Sequence, residues 1–125
     1  STIQVTSSTE AIEGTKVTIN GGSLDLYATD DGINASSDVT GADIFIKVTG
    51  GDIKLEVGQG DTDALDSNGD LIVSGGSLDI TAQFAFDFDG TAEYSGGNLT
   101  VNGETVTEIT NSMMMGGGGG RPSGR

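Results

Sequence analysis

Aspartate is the residue through which this chain can do chemistry. Thirteen aspartates stand among its 125 residues, and more than half of them fall in three runs: Asp30-Asp31-Gly32-Ile33-Asn34, Asp61-Thr62-Asp63-Ala64-Leu65-Asp66 and Phe86-Asp87-Phe88-Asp89. Histidine and cysteine are absent, so any metal site must be built from oxygen, and oxygen suits a hard cation. Flexible carboxylates, Asn amides and loop carbonyls in variable number favour Ca²⁺ over Mg²⁺, which demands stricter octahedral geometry. The spacing is not that of an EF-hand, whose twelve-residue loop closes on a terminal Glu. The plain alternative is a solvated acidic face. Repetition of the acids in step with the rest of the chain favours the cation.

That step is set by Gly21-Gly22-Ser23-Leu24-Asp25-Leu26. It returns as Gly50-Gly51-Asp52-Ile53-Lys54-Leu55, as Gly75-Gly76-Ser77-Leu78-Asp79-Ile80 and as Gly96-Gly97-Asn98-Leu99-Thr100-Val101. Two alternating apolar positions precede each copy: Val17 and Ile19, Ile46 and Val48, Leu71 and Val73, Ala92 and Tyr94. Period-two alternation denotes a strand with one buried face, and a glycine pair between two such strands denotes a bend. A further apolar set, Ile12, Ile33, Leu65 and Phe86, marks a third strand per cycle, with Val106 a possible fifth member. Recurring short strands and bends predict an all-β solenoid, a right-handed parallel β-helix of about four to five coils with rungs about 4.8 Å apart. Residues 1–110 form this domain and residues 111–125 a Met/Gly-rich tail, whose composition is that of a disordered segment. Longer coils place surface loops around Ser36 to Asp43 and around Gly58 to Asp61.

Stacking turns sequence positions into ladders. Leu24, Ile53, Leu78 and Leu99 should stack inward, as should Leu26, Leu55, Ile80 and Val101. Asp25, Lys54, Asp79 and Thr100 form an outward ladder in which charge alternates in sign. Glu13, Asn34, Asp66 and Asp87 form a second outward ladder. Glu10, Asp31 and Asp63 form a third, across the inward-pointing ring. Two like charges about 5 Å apart repel by several kcal/mol at an effective dielectric near 20, and like charges directly opposite one another destabilise neighbouring strands. Protonation, splayed side chains or a cation must relieve them.

Composition narrows the partners. A formal net charge of −14 excludes nucleic acid and anionic membrane surfaces, which need a basic face, and no apolar run approaches the roughly 20 residues of a membrane span. Richness in Gly, Thr, Ser, Asp and Asn suits a secreted protein, extracellular or at the cell surface, and a first residue other than Met fits a start at a processing site.

The Asp-Gly-Ile-Asn-Ala run at 31–35, the run from Gly60 to Gly69, the Gly-Gly-Ser-Leu bends and the Met-Gly tail resemble a family of secreted bacterial proteins. These are the carbohydrate-binding domain-containing proteins, Ca²⁺-binding β-helices related in fold to polysaccharide lyases. The resemblance spans roughly residues 10–120. It implies Ca²⁺ at Asp30, Asp31, Asp61, Asp63 and Asp66, more weakly at Asn34 and Asn68; the third aspartate run adds Asp87 and Asp89 as candidate ligands from the residues alone. It also implies affinity for acidic or cellulosic polysaccharide without cleavage. The chain departs from the pattern in being short and in carrying Phe84 and Ala85 where acids are expected.

Catalysis is not expected. A β-helical lyase needs an Arg or Lys base beside its cation, yet the arginines are Arg121 and Arg125, in the tail, and Lys16, Lys47 and Lys54 fall in strand patterns away from the aspartate runs. Asp63 and Asp66 are a formal hydrolase pair with no mark of desolvation in the sequence. Sugar-binding faces usually carry aromatic platforms. Here Tyr94 falls on an inward position, which leaves Tyr27 as the surface candidate. The other reading is structural: the chain begins in mid-coil without an amphipathic capping helix, so end-to-end association into a filament is expected.

Overall fold

The structure, a computed structural model, describes residues 2–58 and 62–110. The alternating segments are strands and the glycine pairs are bends between them. In chain order, β1 (Thr2–Val5) precedes four complete coils of three strands each. The first coil is β2 (Ile12–Gly14), β3 (Lys16–Ile19) and β4 (Ser23–Ala28). The second is β5 (Ile33–Ala35), β6 (Phe45–Val48) and β7 (Asp52–Val57). The third is β8 (Asp63–Ser67), β9 (Asp70–Val73) and β10 (Ser77–Thr81). The fourth is β11 (Phe84–Phe88), β12 (Ala92–Tyr94) and β13 (Asn98–Val101), and β14 (Glu104–Thr105) follows it.

Equivalent strands stack into three sheets: β1-β4-β7-β10-β13-β14, β2-β5-β8-β11 and β3-β6-β9-β12. Every pairing is parallel except β13 with β14. This is the expected β-solenoid, all-β and of four turns. Among the described residues no helix is long and apolar enough to cross a membrane.

Register confirms the inward stacks. Leu24, Ile53, Leu78 and Leu99 are successive Cα partners, as are Leu26, Leu55, Ile80 and Val101. All eight are buried, with exposures between 0 and 6 %. Each buried aliphatic contributes about 1.5–3 kcal/mol, so the ladder offsets the entropy of ordering a narrow chain. The second glycine of each pair, Gly22, Gly51, Gly76 and Gly97, has φ between +87° and +103°. Only glycine takes that conformation without strain, which is why the pair recurs at this bend.

Val106 is not a fifth rung of the second sheet. Asn102 and Gly103 both take positive φ, at 53° and 86°, and the chain turns back as an antiparallel hairpin with Val101 opposite Glu104. Val106 N–H then donates to the Leu99 carbonyl. An Asn-Gly pair is the residue choice for such a two-residue turn. The Asn102 side chain also closes against the third coil: Ala82 N–H donates to Oδ1 at 3.0 Å, and Nδ2 donates to the Ala82 carbonyl at 2.7 Å. The C-terminal edge of the first sheet is thereby occupied by hairpin and side chain. The segment Ser36 to Asp43 is a surface loop without a strand, as expected. Residues 59–61 of the second expected loop and the tail 111–125 lie outside the described residues.

Candidate metal centre

The second sheet carries the acids, and a break in its alternation gathers them. In β8, Ala64 and Leu65 are consecutive and both buried, and in β11 Ala85 and Phe86 repeat this. Gly32 and Ile33 do the same at the entry to β5. A straight strand cannot bury two neighbours on one face, so the chain turns a corner there. The turn requires a small residue at the first position, and Ala11, Gly32, Ala64 and Ala85 supply it coil after coil. At Gly32 there is no room for a side chain: a Cβ would stand 2.6 Å from both the Ala64 carbonyl oxygen and Leu55 Cδ1. The residues flanking the buried pair, Asp31 with Asn34 and Asp63 with Asp66, therefore converge across the corner, three positions apart in sequence.

The ladder Glu13, Asn34, Asp66 and Asp87 is present in full as successive Cα partners. Asp63 stacks on Phe84, so the fourth coil replaces an acid by an aromatic on the third ladder. The two acidic ladders are not independent, however. Placing Asp31 and Asp63 across the ring from Asp66 understates their proximity, because the corner brings ligand oxygens of Asp31, Asp63 and Asp66 within 4.8 Å of one another. Glu10, Asp30 and Asp31 form a second such group on the preceding rung. Asp31 belongs to both and is the pivot of the site.

Hydrogen bonds hold this pivot in place. Asp63 N–H donates to Asp31 Oδ1 at 2.9 Å, and Gly32 N–H donates to the Asp63 carbonyl at 3.0 Å. Thr62, itself buried, donates its hydroxyl to the Gly58 carbonyl at 2.6 Å and anchors the approach to β8. Burial, contrary to the sequence reading of the Asp63–Asp66 pair, is what most perturbs Asp66. It is the first cause that pushes this carboxyl up to about 8 from 3.8, followed by a hydrogen bond to Asp31 and by the charges of Asp31, Asp63 and Asp87. Glu10 is also raised, first by burial and then by the charges of Glu13 and Asp30 and a hydrogen bond to Asp30. Protonation of Asp66 and binding of a cation are the two means of neutralising the group.

The donor set fits a hard divalent ion. Every group is an oxygen, three acids converge, and the Asn34 amide pairs in register with Asp66. Of the other candidates, Asp87 sits directly beside Asp66 on the fourth coil and acts on it through charge. Asn68 and Asp89 are exposed, two residues further along, and belong to neither group. Asp61 lies outside the described residues. Tyr27 faces outward on the first sheet opposite Glu56, half-buried with its hydroxyl beside Gly58. Tyr94 is half-buried and donates its hydroxyl to the Gly97 carbonyl at 3.1 Å. Spacing put Glu10 on the third ladder without counting it among the ligands, and it left the small-residue ladder unassigned. The recurrence of Ala or Gly before the large apolar residue was the signal for the ladder.

A family model described as carbohydrate-binding domain-containing protein matches residues 1–114, most of the chain. No curated protein and no solved structure matches it.

Proposed function

The chain belongs to the carbohydrate-binding domain-containing family, and from that premise we propose a secreted, non-catalytic, Ca²⁺-dependent polysaccharide-binding module of the cell surface or extracellular matrix. The observation that carries the calcium is the convergence of Asp31, Asp63 and Asp66 at a corner built by Gly32 and Ala64. These residues, with Asp30, Asn34 and Asp87 beside them, would hold the ion. Held there, Ca²⁺ would neutralise these carboxylates and supply a positive charge that the carboxylates and hydroxyls of a uronic-acid polymer could share. An acidic protein can hold an acidic polymer in this way. Binding without cleavage is supported by the lysines, which stand in β3, β6 and β7 of the other two sheets, so none supplies a base on the corner's own strands.

Retention on immobilised polygalacturonate is the test. In millimolar Ca²⁺ the protein should be retained, EDTA should release it, and D63N/D66N should flow through in both. Equal retention of both proteins in EDTA and in Ca²⁺ would remove the calcium-dependent reading.

A second reading, an extracellular filament of stacked copies, is favoured by one observation: Ile3 of β1 is 47 % exposed at the outer edge of the first sheet. The hairpin occupies the opposite edge of that sheet, so such a contact would have to use β11 and β12 there. Sedimentation that stays monomeric with Ca²⁺ at micromolar concentration removes this reading and leaves the first intact.

A further inference from the structure

We propose that the outward face of the first sheet, around Lys54, binds a neutral, polyhydroxylated glycan without metal. This rests on the carbohydrate-binding reading above and adds a second subsite and the class of sugar it takes. The face carries a depression of about 240 Å³ lined by Ser23, Leu24, Asp25, Asp52, Lys54 and Asp79. Register explains its shape. Lys54 of β7 lies between Asp25 of β4 and Asp79 of β10, and Asp52 lies beside the short Ser23. Ser23 is small and leaves room beside Asp52, while Leu24 reaches the depression only at its edge, its side chain turned into the core at 6 % exposure.

The inventory suits sugar hydroxyls. Central strands of a parallel sheet use their backbone N–H and C=O groups in the ladder, so a ligand here must be read by side chains. The two oxygens of one carboxylate accept from the adjacent hydroxyls of a sugar ring, and the Lys54 ammonium donates to hydroxyl or ring oxygens. Three carboxylates to one ammonium leave the depression negative, which repels uronates and other anions unless a cation intervenes. The volume is below the roughly 300–1,000 Å³ of pockets that enclose drug-sized ligands, so it seats a ring or two of a longer chain that runs across the coils. The acidic corner and this depression thus select different sugars by charge: one takes an anionic polymer through Ca²⁺, the other a neutral one directly.

The experiment is an NMR titration of the whole chain with neutral cello-, xylo- and manno-oligosaccharides in EDTA, and with oligogalacturonate in Ca²⁺. At least one neutral sugar should shift resonances of Ser23, Leu24, Asp25, Asp52, Lys54 and Asp79 in EDTA. K54A and D79N should each weaken that binding about tenfold or more, since hydrogen bonds to charged groups are the stronger kind. Both positions are exposed, so the spectra of the two variants should keep the native dispersion. K47A, on the third sheet, should leave binding unchanged. Neutral-sugar shifts confined to another face, or binding indifferent to K54A and D79N, would overturn the proposal. Binding of oligogalacturonate alone overturns it too, while the calcium-dependent reading stands. Failure of every sugar under both conditions overturns both.

Discussion

Two outward ladders on this solenoid share one geometry and differ in sign. On the first sheet, Asp25, Lys54 and Asp79 stack as acid, base, acid. On the second, Asn34, Asp66 and Asp87 stack without a base, and the corner adds Asp31 and Asp63. Parallel in-register strands place equivalent side chains about 4.8 Å apart in both cases. Where signs alternate, neighbours attract rather than repel and exposure to water screens the charges. Where they do not, and the chain bends so that two ladders meet, repulsion and partial burial act together, and a carboxyl keeps its proton. Only that second combination gives a ladder reason to take up a proton or an external cation.

The largest effect should come from the ion itself. A cation that binds only the folded chain, at a concentration a hundredfold above its dissociation constant, stabilises by about 2.7 kcal/mol, a rise in Tm on the order of 10 °C. Scanning calorimetry in millimolar Ca²⁺ and in EDTA measures it, and coincident transitions would make the second ladder as self-sufficient as the first.

Next in size is the contrast between ladders. D63N/D66N should lower Ca²⁺ affinity by about a hundredfold or more, since two of three converging carboxylates are lost, while D25N should leave it unchanged. Isothermal titration with Ca²⁺ distinguishes them, and an equal loss in both variants would erase the distinction between corner and flat face.

The most pointed effect is on pH. The folded chain holds a proton on Asp66 up to about pH 8, whereas the unfolded chain releases it near 3.8. Between those values the native state binds more protons, so the stability of the metal-free protein should fall as pH climbs from about 4 to about 8. D66N should flatten this slope, raising Tm in EDTA near pH 8 yet lowering it in Ca²⁺. A metal-free Tm that rises with pH over this range, or a slope unaltered in D66N, would show that Asp66 is not the strained group. Thermal melts across that range, with and without chelator, read both signs.

Much of this was legible in the chain as written, because a solenoid converts sequence period directly into contact. The Gly-Gly bends recur because the second glycine needs positive φ, and once the period is known the partners Glu13, Asn34, Asp66 and Asp87 follow by counting. The charge alternation of Asp25, Lys54 and Asp79 follows in the same way. The apolar period alone assigns Val106 to a sheet it does not join, because the Asn102-Gly103 turn reverses the chain first. What counting could not supply was direction across a corner. Alternation assigns Asp31 and Asp66 to separate ladders; only the fold shows that two consecutive buried residues, Gly32 with Ile33 and Ala64 with Leu65, turn the backbone so that the acids on either side meet. Burial of Asp66 and the depression beside Lys54 are likewise matters of tertiary structure. Period fixes which residues are neighbours along the stack, but desolvation and concavity depend on how side chains of several strands fill the space around them, and no single strand contains that information.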